Sequence, residues 1–144
     1  MKYIAHNLEE MQKFAAETIL AQTPKSDRAT VFGLYGDLGA GKTSFTQGVA
    51  KALAIEDTVV SPTFVIEKIY ELTAQKFAHL IHIDAYRLEK SEELSHLGWQ
   101  EIISDRSNLI LIEWPERVAD IMPEHTKIIF KTLENPDERE IEIV

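Results

Sequence analysis

Apolar residues recur along the chain with two alternating periods, and the changes of period mark its elements. "KYIA" near the N-terminus reads as a short strand. Asn7, with Glu10 three residues later, makes a capping-box start, after which Leu8, Met11, Phe14, Ala15, Thr18 and Ile19 fall on one helical face. The polar break "AQTPKSDR" follows, and "ATVFGLY" is an apolar run of strand length ending at Gly36. Helical spacing returns from residue 42 to about 53, with Phe45, Val49, Ala52 and Leu53 placed for burial. "TVVSPTFVIEKIYEL" reads as a loop passing into a strand and "FAHLIHIDAY" as a strand. "SEELSHLG" is a short helix between Ser91 and Gly98, and "NLILIEW" is a continuous apolar strand. "TKIIFKTLENPDEREIEIV" reads as two strands turning at Asn135-Pro136-Asp137. Strands alternating with helices predict an α/β class, with antiparallel pairing in the last third.

Composition narrows the setting. A chain of 144 residues, 44% hydrophobic and 27% charged, has the length and balance of one soluble domain spanning residues 1–144. No window approaches the roughly 18 uninterrupted apolar residues of a membrane span, and "MKYIAHNLEE" lacks a secretory apolar stretch. The absence of cysteine agrees with a reducing cytoplasm. Fifteen Lys and Arg against 24 Asp and Glu give a formal charge of −9. Such a surface repels a nucleic-acid backbone, so strong direct binding to tRNA or DNA is not expected.

The segment "GDLGAGKT" changes the picture most. Gly36, Asp37, Leu38, Gly39, Ala40, Gly41, Lys42 and Thr43 satisfy G-x-x-x-x-G-K-[ST] without a mismatch, and Ser44 continues into the helix. Glycines admit backbone angles closed to other residues, so successive N–H groups can turn inward around an anion. A helix start at Lys42 directs its amides and positive dipole end to the same place. Lys42 then neutralises the outer phosphates, and the Thr43 hydroxyl can ligate Mg²⁺. A chance match is expected in roughly 0.5% of chains this long, and the strand-loop-helix setting is the one the motif needs. The segment is read as a phosphate site.

Mg²⁺ requires one or two further oxygen ligands. Asp84, after "HLIHI", and Glu113, after "NLILI", both emerge at the ends of apolar strands. One carboxylate would touch the metal or its water shell and the other would orient the attacking water; the spacing alone does not divide these roles. Thr63, in "VVSPTF", lies in a loop able to cover a γ-phosphate, and Pro62 restrains its backbone. Trp114, between Glu113 and Pro115, is a candidate cover for the nucleotide or for a partner. His79 and His82 have no metal-ligand partners in register and are read as structural. Trp99 is read as packing, and Arg87, Arg106 and Arg117 as solvated surface.

"GDLGAGKT", "SPTF", "HIDAYRL" and "IEWPERV", in this order and at these distances, resemble the TsaE/YjeE family, the small bacterial P-loop ATPases of tRNA threonylcarbamoyladenosine biosynthesis. The resemblance runs from the N-terminal helix through Val118. It implies a P-loop NTPase-like mixed sheet, parallel in the centre and antiparallel at the flanks, with helices on both faces. It also implies a cytoplasmic, Mg²⁺-dependent ATPase that binds ATP and ADP and works with two protein partners to form a modified adenosine beside the tRNA anticodon. Carried over by position, Lys42 and Thr43 bind phosphate and Mg²⁺, and Thr63 lies in a switch-like loop. Asp84 matches the second nucleotide motif, and Glu113 with Trp114 matches the segment tied to Mg²⁺ and hydrolysis. A small-molecule kinase, a GTPase switch or a non-hydrolysing scaffold would share the glycine loop. The five scattered arginines lack a kinase lid's clustering, and no Asn-Lys-x-Asp segment reads guanine.

Overall fold

The computed structural model of the chain describes residues 1–56 and 66–144. Its elements, in chain order, are β1 (Lys2–Ala5), α1 (Leu8–Leu20), β2 (Thr30–Tyr35), α2 (Lys42–Ala52), β3 (Glu67–Glu71) and β4 (His79–Asp84). Then follow α3 (Ser91–Ser95), α4 (Trp99–Ser104), β5 (Asn108–Glu113), a 3-10 segment (Pro115–Ile121), β6 (Thr126–Thr132) and β7 (Arg139–Ile143). The strands form one seven-stranded sheet in the order β1-β7-β6-β2-β5-β4-β3. Strand β4 runs parallel to β5 and antiparallel to β3, while β7 is antiparallel to both β1 and β6. The chain thus forms the mixed sheet with helices that its sequence predicts.

The chain packs as two compact units. The described parts of the first are residues 1–22, 34–56 and 127–144; those of the second are 23–33 and 66–126. In the first unit, α1 begins where its capping residues require: the Asn7 side chain accepts from the Glu10 amide at 2.8 Å, and Glu10 reaches back to the His6 amide at 2.9 Å. Met11, Phe14, Ala15 and Ile19 are buried, while Leu8 is 55% exposed. Helical side chains lean toward the N-terminus, so a first-turn leucine covers the space before the helix and misses the core. Aromatic rings join the layers: Tyr3 stacks on Phe14 at 4.9 Å, Phe14 tilts against Phe45 at 6.3 Å, and Phe45 meets Phe130 edge-on at 5.5 Å. Helix α2 buries Phe45, Thr46, Gly48, Val49 and Ala50, with Ala52 only half-buried. A side chain on Gly48 would stand 2.8 Å from the Gln12 Cα and 2.9 Å from the Ala15 Cβ, so α1 and α2 touch there backbone to backbone.

The second unit has its own core of Val31, Ile81, Ile83, Leu94, Trp99, Ile110, Ile112 and Val118. Trp99 is a packing residue, as expected, and its indole N–H donates to the Ile121 carbonyl at 3.0 Å. It opens α4, a helix the apolar spacing does not reveal. Gly98, at φ +83°, ends one short helical stretch and starts the next. The close register of β4 on β5 places Asp84 opposite Glu113 at the strand ends.

Candidate functional site

The end of β2 runs into the glycine loop, which belongs to the first unit. Gly36 takes φ +144°, and a Cβ there would lie 2.7 Å from the Phe130 carbonyl oxygen, so only glycine lets the loop leave the strand at this angle. Asp37, Leu38 and Gly39 are exposed, and the turn closes when the buried Ala40 donates its amide to the Asp37 carbonyl at 3.1 Å. Gly41, at φ +112°, caps α2. Among the described residues no side chain caps this helix, and its first turn contains no acid. Its first internal bond is Phe45 N–H to the Gly41 carbonyl at 2.9 Å. A helix cannot bond its own first amides internally, and the cap position here is Gly41, which has no side chain to do it.

Lys42 is 4% exposed, yet its ammonium is directed back over the loop and donates to the Gly36 carbonyl. Thr43 and Ser44 follow, half-buried, in the first turn. A buried cation folded over a loop in which Gly36 and Gly41 leave no room for a side chain, beside a helix start without a side-chain cap, fits a polyphosphate. The Thr43 hydroxyl adds the hard oxygen donor that Mg²⁺ prefers. One residue of this unit escapes sequence reading. Arg139, at the start of β7, donates to the Gly39 carbonyl at 3.2 Å and to the Pro136 and Glu138 carbonyls at 2.6 and 2.8 Å. It ties the C-terminal hairpin to the glycine loop from about a hundred residues away in sequence, and no motif marks it.

In the second unit, the two acidic strand ends stand side by side but in different surroundings. Glu113 is 3% exposed, and its Oε2 lies 2.6 Å from the Nε2 of His82, which is wholly buried. Asp84 is half-buried, and its Oδ1 accepts the Tyr86 amide at 3.0 Å. The Ala85 amide donates to the Glu113 carbonyl at 3.0 Å, which locks the two chain exits together. Trp114 takes the left-handed conformation, φ +58°, and Pro115 starts the 3-10 segment immediately after it. Its ring sits 5.0 Å from that of Tyr86, over which Arg117 lies at 5.3 Å. Trp114 is therefore part of an aromatic and cationic stack at the β5 exit, leaning on the core beneath. Thr63 lies outside the described residues.

A strand, a glycine turn, an uncapped helix and a lysine folded over the turn define a P-loop fold. Comparison with known proteins places the chain more closely. The sequence profile of the threonylcarbamoyl adenosine biosynthesis protein TsaE matches residues 5–141, and the chain belongs to that family. It is similar to the tRNA threonylcarbamoyladenosine biosynthesis protein TsaE of Bacillus subtilis, 37% identical over 142 residues that cover 98% of this chain and 83% of the relative. The protein of the same description from Treponema pallidum is 37% identical over 119 residues, 81% of this chain and 83% of the relative. That from Borreliella burgdorferi is 42% identical over 93 residues, which is 65% of each. Among solved structures, the crystal structure of Bacillus subtilis YdiB superposes with a TM-score of 0.76 at 33% identity, over 98% of this chain and 82% of that one. Among the described residues no helix is long and apolar enough to cross a membrane.

Proposed function

We propose that the chain is the ATP-binding and ATP-hydrolysing component of the assembly that forms threonylcarbamoyladenosine beside the tRNA anticodon, acting in the cytoplasm with two protein partners. The observation that carries this reading is the buried Lys42 ammonium held over the Gly36 carbonyl at an uncapped helix start. The relatives' descriptions supply the pathway, and the net charge of −9 supports leaving the grip on tRNA to a partner.

In this reading the amides of Gly39 to Ser44 take the β-phosphate, and the Lys42 ammonium exchanges the loop carbonyl for phosphate oxygens. Thr43, with Asp84 or Glu113, would hold Mg²⁺, which supplies positive charge to the phosphate oxygens during transfer. The Glu113 carboxylate accepts a hydrogen bond from the attacking water and orients its lone pair. Asp84 occupies the more open position, suited to a metal's water shell. Hydrolysis supports the cycle of the partners that carry out the transfer, and ADP is the product released.

Calorimetric titration tests the site and the base together. Wild-type chain should bind ATP in preference to GTP. Lys42→Ala removes a charge-assisted contact of ~1.5–3 kcal/mol, so affinity should fall roughly ten- to hundredfold. Undiminished affinity in the variant rejects the phosphate site, and equal or tighter GTP binding rejects the ATPase in favour of a GTPase-type switch.

A further inference from the structure

His82 precedes Asp84 by two residues on β4, so the pleat puts both on the sheet face that also carries Glu113, opposite Asp84. The imidazole is completely buried, and Nε2 meets Glu113 Oε2 at 2.6 Å. Its other nitrogen, Nδ1, is buried and has no hydrogen-bond partner among the described residues. An apolar residue of the same size would fill this position without stranding a polar atom. Packing alone therefore does not account for a histidine here, whereas a directed bond to Glu113 does.

We propose that His82 is a positioning residue for hydrolysis: its Nε2–H donates to Glu113 Oε2, holds the carboxylate in one rotamer and leaves Oε1 to orient water. A glutamate has three side-chain torsions, and anchoring one oxygen removes most of that freedom before the substrate arrives. The inference rests on Glu113 being the hydrolytic carboxylate, and its test separates the two ideas.

The experiment is single-turnover hydrolysis of ATP with Mg²⁺ by the full chain in excess over nucleotide, alongside ATP affinity by calorimetry. A glutamine amide reaches the place of the imidazole Nε2, while an asparagine amide reaches only that of Nδ1. His82→Gln should keep the rate within about threefold of wild type, and His82→Asn should slow it about tenfold or more, with ATP affinity unchanged in both. Adding His82→Asn to Glu113→Gln should cost nothing further, because the group to be positioned is already gone. A folded His82→Gln that is tenfold slow, or a His82→Asn at the wild-type rate beside a slow Glu113→Gln, overturns the role of His82 alone. A Glu113→Gln at the wild-type rate overturns the reading of Glu113 beneath it. Should the asparagine variant not fold, the imidazole ¹⁵N spectrum of the wild-type chain decides. A proton on Nε2 that loses its protection in Glu113→Ala supports the proposal, and a ring protonated at Nδ1 but not at Nε2 refutes it.

Discussion

Gly48 sits in the middle of α2, where helix propensity and packing make opposite demands. Considered as a helical position alone, Gly48→Ala should stabilise the chain by ~1 kcal/mol, since alanine loses less backbone freedom on folding. The packing answers differently. The added Cβ would stand 2.8 Å from the Gln12 Cα, 2.9 Å from the Ala15 Cβ and 3.0 Å from the Gln12 carbonyl oxygen. None of these atoms belongs to a side chain able to rotate away. Ordinary carbon contact begins near 3.5 Å, so α1 must retreat by about 0.7 Å along its closest line of approach. That retreat also opens the Phe14–Phe45 contact at the same interface. Overpacking of this kind costs ~1–3 kcal/mol, and rigid backbone atoms put this site in the upper half. After the propensity gain is subtracted, a net loss of ~1–2 kcal/mol is expected. Urea unfolding with a constant m-value measures it directly, and a thermal scan should show a drop of roughly 2–8 °C. A variant as stable as wild type, or more stable, would refute the close helix contact and leave propensity in control. Because α2 also presents the proposed phosphate-binding turn, ATP affinity should weaken severalfold in the same variant.

Asn7→Ala removes the acceptor for the Glu10 amide and should cost ~1 kcal/mol, with Asn7→Asp nearly neutral; denaturant titration checks both. His6 titrates above its ordinary value of 6.5, chiefly because Glu138 accepts a hydrogen bond from its ring, with partial burial opposing and the charges of Glu10 and Glu138 assisting. A raised folded-state pKa means that this contribution to stability is complete below the ordinary value and disappears as pH rises through the raised one. NMR titration of the imidazole should show the upward shift, and Glu138→Gln should return it toward 6.5. Asp84→Asn should slow ATP hydrolysis by tenfold or more while changing ATP affinity much less, and an unchanged single-turnover rate would remove Asp84 from the site.

What could be read from the chain in advance follows from the distance over which each feature is defined. The glycine loop is legible because its geometry is made by consecutive residues: the eight from Gly36 to Thr43 contain the turn, the cation and the helix start. The cap of α1 and the closing hairpin are local in the same sense. Leu8 lies on the apolar face yet stays exposed, because periodicity assigns a face without saying where the helix ends, and a first-turn side chain points past that end. Helix α4 leaves no signal in the sequence, because six residues are too few for a period to emerge and Gly98 resembles a stop as much as a start. Gly48, Arg139 and His82 form a different group. Each looks ordinary in sequence, and each acquires its role from a partner 31 or more residues away: Gly48 from α1, Arg139 from Gly39, His82 from Glu113. The acidic strand ends show the boundary most clearly. "HLIHID" and "NLILIE" each announce a carboxylate leaving a buried strand, and that much is local. Only the parallel register sets Asp84 against Glu113, and only the pleat then turns His82 to the same face. A shift of register by one residue would send the histidine through to the other face and leave a buried glutamate without its partner. Burial of an unpaired carboxylate is costly enough to disfavour that alternative pairing, so the His82–Glu113 pair also helps to hold the strands in the register that creates it.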